Sequence, residues 1–500
     1  MNVAMRRRRL LAGAVAIAAA VAVPSAARGT TDAVGGGGGT PGTSANFELI
    51  GHDPLFNRGM NAGPAIYRNY IYIGNRTDSS DGHTHPGVLI TSIADPAHPK
   101  VVGEIGRPNE AVRGVTSREL RVWSAQKLLV VMNFRCSSFI HDCPEGTDEQ
   151  FEFDLKFYDL TDPVHPRLIK TFVPRSRAGV PVKPHEMYLW IDPRNRDRAL
   201  LYLSTPTLST KPKDPNLVVE DISDAARGVV RFVTQFNANA FYPGAADPAR
   251  YDFNLFTHSM SLNPAGTRLY LSQEAGEFLV ADSSQVARDV RNPNIRLLTD
   301  PRDRPRWRNP NAHSAVPIPG RQLVLTTDEI YGSLLGPSQG CPWGWARLFN
   351  VENPANPRFV SQYRITENQP SFCPTREGRN DAFVSYTSHN PTVLPDLALI
   401  SWHSGGLQAI DISNANVPQQ GGWFSPRPLR HVATEDPALS AGPNKVVMWS
   451  YPIIKDGLIY VVDIRNGLYV LRYTGPRHGE VDRTKFLEGN SNRGDPINDN

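Results

Sequence analysis

Residues 87–96 read GVLITSIADP, and the same pattern returns six times along the chain. The later copies are LKFYDLTDP (155–163), LVVEDISD (217–224), FLVADSS (278–284), ARLFNVENP (346–354), GLQAIDISN (406–414) and GLYVLRY (467–473). Each copy is a short apolar run, typical of a strand buried on both faces, and most contain an Asp or Asn that favours a turn. The copies recur about every 50 to 75 residues, the period of propeller blades that carry loop insertions.

The seven copies predict an all-β fold, a β-propeller of about seven four-stranded antiparallel blades over residues 46–474. The last copy ends at Tyr473 before a fourth strand can follow, whereas FELIGH at 47–52 resembles a fourth strand without a blade. We expect this N-terminal strand to complete the last blade and close the ring, because the pairing hides both strand edges.

These third-strand segments resemble LVIVD repeats, which are named for that strand. The resemblance covers nearly all of the chain after residue 45. It implies a propeller fold and says almost nothing about chemistry, since one fold serves many functions.

The N-terminus has the features of an export leader. Four arginines at 6–9 precede an apolar run from Leu10 to Val23, so we expect a signal peptide at 1–27. Consecutive arginines suit the twin-arginine route and the ordinary secretory route equally. No later segment is long and apolar enough to span a bilayer, which places the mature chain outside the cytoplasm, in the periplasm, at the cell surface or secreted. Gly-rich residues 28–45 predict a flexible linker, and polar residues 475–500 predict a disordered tail.

The charge balance argues against a nucleic-acid partner. The whole chain carries a net charge of +4, and removal of the leader takes away four arginines and no acid, which brings the charge to zero. Proteins that bind nucleic acid carry a clustered basic excess instead. We expect a monomer with no transmembrane segment.

The chain has four cysteines, Cys136, Cys143, Cys341 and Cys373. An even number in an exported protein favours disulfides, and proximity in sequence suggests Cys136 with Cys143 and Cys341 with Cys373. A metal–thiolate cluster is the weaker alternative because there is no C-x-x-C pair.

Four histidines occupy matching positions at the start of the first, innermost strand of their repeats. They stand in PHEM (184–187), THSM (257–260), AHSA (312–315) and SHNP (388–391). First strands surround the channel of a propeller and all start on one face. We therefore expect His185, His258, His313 and His389 to converge at one mouth of the channel.

The second strand of each repeat returns to the same face and ends in further polar residues. These are Gln273 with Glu274, Asp328 with Glu329, His403, and Asp463 with Arg465. Imidazole and carboxylate together suit zinc, copper, iron or manganese. The predicted ligands of one such ion are the four matching histidines with His403 and Glu274. Asp328 is a candidate ligand-binding residue, and Arg113 could clamp an anionic group or pair with a nearby acid.

The sequence leaves two functions open and assigns no reaction. The first is an exported propeller with a His/carboxylate site for a metal ion or small ligand at the channel mouth. The second is an extracellular interaction scaffold in which the histidines are structural. The sequence contains no G-x-S-x-G, phosphate-binding loop or H-E-x-x-H motif that would indicate another chemistry.

Overall fold

The computed structural model describes residues 32–36, 38–80, 82–106, 115–136, 140–143, 153–205, 207, 209–241, 257–274, 276–307, 312–331, 340–379 and 382–489. They all belong to a unit that runs from Thr31 to Asn500. The leader expected at 1–27, Arg113 and residues 490–500 lie outside the described residues. Within these ranges no helix is long and apolar enough to cross a membrane.

Short strands make up most of the described chain. In chain order they are β1 (Asp32–Gly35), β2 (Thr43–Ala45), β3 (Phe47–Asp53), β4 (Asn61–Tyr67), β5 (Tyr70–Asn75), β6 (Val88–Ser92), β7 (Lys100–Ile105), β8 (Val115–Trp123), β9 (Leu128–Arg135), β10 (Asp154–Asp159), β11 (Arg167–Phe172), β12 (Met187–Asp192), β13 (Asn195–Ser204), β14 (Leu217–Asp221), β15 (Arg231–Phe236), β16 (Thr257–Leu262), β17 (Arg268–Gln273), β18 (Glu277–Asp282), β19 (Arg296–Leu297), β20 (Ala312–Pro317), β21 (Leu323–Asp328), β22 (Ala346–Asn350), β23 (Arg358–Ile365), β24 (Pro391–Val393), β25 (Leu397–Ser401), β26 (Leu407–Asp411), β27 (Gln419–Ser425), β28 (Ile453–Lys455), β29 (Leu458–Asp463), β30 (Gly467–Tyr473) and β31 (Phe486–Glu488). The α-helices are α1 (Ser284–Ala287) and α2 (His478–Asp482). Short 3-10 turns span Leu55–Asn57, Ser124–Gln126, Ala225–Arg227, Ala238–Phe241 and Thr366–Asn368.

The strands of the described chain form small antiparallel sheets in a β-propeller arrangement. Five sheets have four or five strands each. Their strand orders are β12-β13-β14-β15, β16-β17-β18-β19, β20-β21-β22-β23-β1, β24-β25-β26-β27-β2 and β31-β28-β29-β30-β3. The structure thus has five separate blades among its described residues, not the seven that the sequence predicts.

The remaining repeats are merged into one sheet of eight strands, β4 to β11. Its two halves, β4–β7 and β8–β11, are joined by the pairing of Asn75 in β5 with Ser117 in β8. Gly74 permits this approach, because a Cβ at its position would collide with the carbonyl oxygen of Ser117. The close approach explains why two expected blades share one hydrogen-bonded sheet.

Burial falls from the first strand of a sheet to the fourth. Every residue of β12, β16 and β20 is buried, as strands packed on both faces require. The fourth strands β7 and β11 are mostly exposed or half-buried. The core lies between neighbouring sheets: Trp190, Leu200 and Val219 of one sheet pack with Leu262 and Leu271 of the next.

The turn that follows most third strands is stabilised by an Asp or Asn side chain. The side-chain oxygens of Asp95, Asp221 and Asp411 each accept a hydrogen bond from the backbone N–H two residues later. Asn350 and Asp282 make the same bond. A short Asp or Asn side chain stabilises a turn in this way, so the repeat motif marks the exit from the third strand.

The segment expected to be a free linker is partly structured. Within 28–45, β1 pairs in parallel with β23 and β2 pairs antiparallel with β27, so each adds an outer strand to a sheet. The segment expected to be disordered from Gly475 also departs from the expectation as far as Gly489. It forms α2 and β31, and the apolar side chains of Val481 and Leu487 are buried in the core.

Both expected cysteine pairs lie at disulfide distance. The Cα atoms of Cys136 and Cys143 are 5.9 Å apart, and those of Cys341 and Cys373 are 5.4 Å apart. Both separations fall in the range that a disulfide spans.

We predict that the mature protein contains these two disulfides, because the paired cysteines are already at bonding distance. Peptide mapping under non-reducing conditions should recover the peptide of Cys136 linked to that of Cys143, and Cys341 linked to Cys373. Free thiols, or a link between the two pairs, would contradict the assignment.

We predict that Gly74→Ala lowers the free energy of unfolding by about 1–3 kcal/mol, the usual effect of overpacking, because the new methyl group meets the Ser117 carbonyl. Gly36→Ala is the matched control, since nothing lies within 4 Å of the Cβ that it adds. Denaturant unfolding of both variants measures the difference. Equal stabilities would show that the close contact of β5 and β8 does not constrain the fold.

Candidate metal centre

His258 and His313 lie at irregular positions of their first strands. The pairing register of β16 with β17 shifts after Thr257, and that of β20 with β21 shifts after Ala312. A β-bulge places an extra residue in one strand and redirects its side chain. The bulges therefore turn the two imidazoles away from the regular alternation of the strand.

Hydroxyl groups of neighbouring second strands hold the histidine backbones in place. The Ser272 hydroxyl donates to the carbonyl of His313 at 2.5 Å, and the Thr327 hydroxyl donates to the carbonyl of His389 at 2.5 Å. These bonds are buried and link one sheet to the next. They position each imidazole relative to the adjacent one.

Five buried or half-buried imidazoles form a continuous arc across four sheets. The ring centroids are separated by 4.5 Å between His185 and His258, 4.3 Å between His258 and His313, 4.0 Å between His313 and His389, and 4.7 Å between His389 and His403. The structure thus brings together all five histidines selected from the sequence.

Two glutamates face the arc. The Glu329 carboxylate lies 3.3 Å from Nε2 of His258, 3.7 Å from Nε2 of His313 and 2.9 Å from Nε2 of His389. Glu186 Oε1 lies 3.3 Å from Nε2 of His313. Two ligand atoms about 2.0–2.2 Å from one ion, at a tetrahedral angle, are about 3.3–3.6 Å apart. The nitrogen-to-oxygen distances of 2.9–3.7 Å bracket this spacing.

Two groups of three residues each bring their ligand atoms within 4.8 Å of one another. One contains Glu186, His258 and His313, and the other contains His313, Glu329 and His389. His313 belongs to both, so the two groups are neighbours that share one residue. A third group, Asp78 with Cys136 and Cys143, uses cysteines that lie at disulfide distance from each other.

The protonation of His389 follows from its contacts. Its Nδ1 lies 2.7 Å from the backbone carbonyl oxygen of Trp449, which can only accept a hydrogen bond, so Nδ1 carries the proton. In the neutral imidazole, Nε2 then presents a lone pair toward Glu329 Oε1. The two buried atoms lie 2.9 Å apart, so the imidazole and the carboxylate are in direct contact. A lone pair beside a carboxylate oxygen is the arrangement that a cation stabilises.

Burial and the mutual repulsion of neighbouring imidazoles limit how many histidines of the arc can carry a charge at once. Burial lowers the pKa of His185, His258, His313 and His403 from the ordinary value of 6.5, and neighbouring imidazoles lower it further. Burial would raise the pKa of Glu329, but His389, His313 and His258 outweigh burial and hold it well below its usual range. Neutral imidazole and ionised carboxylate are the forms that bind metal ions.

The sequence comparisons give no family. No protein-family model matches the chain, and no curated protein matches it. Among solved structures, the chain is similar to a computationally designed protein, Ika8, at 9% identity and a TM-score of 0.38, over 84% of this chain and 97% of that chain. It is also similar to a chain of a Mitotic Checkpoint Complex at 10% identity and a TM-score of 0.44, over 94% of this chain and 99% of that chain. Neither similarity bears on the function.

Of the three other residues selected from the sequence, Glu274 and Asp328 belong to neither ligand group. Burial, reinforced by the charge of Glu329, raises the pKa of Glu274 to about 8. Asp328 accepts a hydrogen bond from Arg347 at 2.7 Å and another from the Trp307 indole at 2.9 Å, so its carboxylate links strand β22 to the segment of Trp307. Arg113 lies outside the described residues.

Sequence reasoning missed Glu186 as a ligand and named Glu329 only as a strand-end residue. Glu186 directly follows His185, and Glu329 directly follows Asp328, so both signals were present in the sequence. A strand alternates its side chains between two faces, but both residues lie just outside regular strands, where alternation does not apply. Their direction therefore required the structure.

Proposed function

We propose that this protein binds a divalent transition-metal ion at the centre formed by His258, His313, His389 and Glu329. The observation that carries the proposal is the convergence of three imidazole Nε2 atoms on one buried carboxylate, at separations of 2.9–3.7 Å. Nitrogen and oxygen donors of this kind suit zinc, copper, iron or manganese.

The surrounding residues support a bound ion in distinct ways. Trp449 sets the tautomer of His389, as backbone carbonyls often do for metal-binding histidines. Glu186 and His185 flank the centre on one side, where His185 Nε2 lies 3.0 Å from His258 Nε2. His403 flanks it on the other side, fully buried, with no hydrogen-bond partner for either ring nitrogen in the described part of the chain.

An ion would also offset the cost of burying this many polar groups. A buried carboxylate or imidazole without a partner destabilises a protein, and a cation supplies the missing interaction for several of them at once. If the histidines were only structural, each would instead be paired by the protein itself. The ring nitrogens of His403, which have no hydrogen-bond partner in the described part of the chain, favour the metal over the structural role.

We further propose that β3 closes the ring and that the two halves of the eight-stranded sheet complete it. We also propose that the chain is an LVIVD-repeat protein and that its N-terminal leader directs its export. Support for closure comes from the pairing of β3 with β30, which runs from Phe47 opposite Tyr473 to Asp53 opposite Leu468. Support for export comes from the two cysteine pairs at disulfide distance.

We predict that the variant His258→Gln/His313→Gln loses the metal, with affinity reduced by more than about 100-fold, because two of its direct ligands are removed. The control is His98→Gln/His165→Gln. These two histidines are exposed and pair with Asp95 and Asp162 in equivalent turns. Elemental analysis after purification with zinc, copper, iron and manganese supplied should find about one ion per chain in the wild type and the control.

Thermal unfolding of the same samples separates metal loss from misfolding. A bound ion stabilises the folded state, so removal of metal by a chelator should lower the unfolding temperature of the wild type and leave that of the double variant unchanged. Wild-type protein without stoichiometric metal would contradict the proposal, and the interaction-scaffold function would then be the better one.

Deletion of residues 47–53 should destabilise the whole propeller, because it exposes the edge of β30 and removes the buried Phe47 side chain. A large decrease in the unfolding temperature, or aggregation, is the expected outcome in calorimetry. An unchanged transition would show that β3 is dispensable for ring closure.

A further inference from the structure

Arg118 occupies the position in its sheet that His258 and His313 occupy in theirs. The register of β8 with β9 shifts between Ser117 and Glu119, so Arg118 lies at the same bulge near the start of a first strand. Its Nη1 lies 2.9 Å from Nε2 of His141. The pKa of His185 is lowered most by burial, next by His258 and then by the charge of Arg118. The arc of imidazoles therefore continues into a buried guanidinium group.

Arg76 joins Arg118 on a shared aromatic surface. It directly follows β5, at the same end of the sheet, and its Cζ lies 5.4 Å from the ring centroid of Trp449. The Cζ of Arg118 lies 5.3 Å from the same centroid. The Trp449 ring also lies 5.1 Å from the ring of His389. One indole thus contacts both guanidinium groups and the proposed metal centre.

Part of the Arg76 guanidinium group lacks an acceptor in the described residues, although the side chain also forms a hydrogen bond with Tyr331. The side chain is fully buried, yet Nε and Nη1 have no hydrogen-bond partner in the described part of the chain. Its Nη2 makes one long hydrogen bond, 3.4 Å to the Ile140 carbonyl, and lies 3.6 Å from Asp436 Oδ2. The other carboxylate oxygen of Asp436 accepts bonds from the backbone N–H groups of Ala438 and Leu439.

Arg58 shows how this chain treats an arginine that is purely structural. It is equally buried, and all its donor nitrogens are bonded, one to the Asn61 side chain and the others to four backbone carbonyls. A buried guanidinium group without such partners is costly. The open nitrogens of Arg76 therefore point to an acceptor that the described part of the chain does not supply.

Arg76 keeps its charge in this position. Burial lowers its pKa, but Tyr331, Asp436 and Glu329 outweigh burial and raise the pKa above the ordinary value. The Tyr331 ring in turn lies 6.1 Å from the ring of His403, at the end of the imidazole arc. Positive charge and metal centre are thus adjacent within one buried region.

We propose that Arg76 and Arg118 bind the oxyanion group of a small ligand, a carboxylate or a tetrahedral oxyanion, whose other end reaches the metal centre. The part of the inference that involves the metal centre rests on the proposed function. Guanidinium groups are the side chains best suited to oxyanions, since their N–H groups match the spacing of the oxygens. An ion at the centre adds positive charge and strengthens the attraction for an anion.

The test uses the full mature chain with metal content measured on every sample. Acetate and sulfate are titrated separately, with sodium chloride at the same ionic strength as reference, and binding is followed by calorimetry and by the unfolding temperature. The variant is Arg76→Gln, and the control is Arg302→Gln, an exposed arginine paired with Asp300. We expect wild type and control to bind one of the two oxyanions, and Arg76→Gln to bind it at least about tenfold more weakly.

The acetate and sulfate titrations distinguish the possible ligand classes. Binding of acetate alone indicates a carboxylate ligand, and binding of sulfate alone indicates a tetrahedral one. If the wild type binds neither, or if Arg76→Gln binds as tightly as the wild type, the proposal is overturned. The wild-type titration decides even if the variant fails to fold. Metal content is read independently, so a chain that lacks metal contradicts the proposed function without obscuring the result for Arg76.

Discussion

The centre depends on the contacts of the Glu329 carboxylate with three imidazoles. The carboxylate lies within 3.7 Å of Nε2 atoms from three histidines that belong to three sheets and are far apart in sequence. A buried carboxylate among neutral imidazoles is stable only if a positive charge or protons balance it. The neighbouring sheets must therefore hold these groups together against a cost that the proposed metal ion would relieve.

The fold meets this demand through the way its sheets pack. First strands buried on both faces bring equivalent positions of successive sheets close together, and bulges turn selected side chains toward their neighbours. Hydroxyl groups such as those of Ser272 and Thr327 join each sheet to the next at the level of the histidines. The same frame places Arg118 at the matching bulge, where the chemistry changes from imidazole to guanidinium.

Much of this arrangement could be predicted from the sequence, and the rest had specific physical obstacles. The third-strand repeat predicted an all-β propeller, and equivalence of repeats brought together His185, His258, His313, His389 and His403. The number of separate blades was wrong because Gly74 allows two repeats to share a sheet, which no repeat pattern encodes. Arg118 was missed because a bulge shifts the register, and Glu186 was missed because it lies outside a regular strand. The expected linker and the expected disordered tail were inferred from composition alone. Composition does not indicate the short outer strands found there, since such strands need few apolar residues.

Anomalous diffraction from crystals of the zinc-loaded protein tests the central claim most directly, because it locates the ion itself. The account predicts one peak at the zinc edge among the Nε2 atoms of His258, His313 and His389 and the carboxylate of Glu329, about 2.0–2.2 Å from its ligands. A peak beside Cys136 and Cys143, or no peak in crystals soaked with excess zinc, would contradict it.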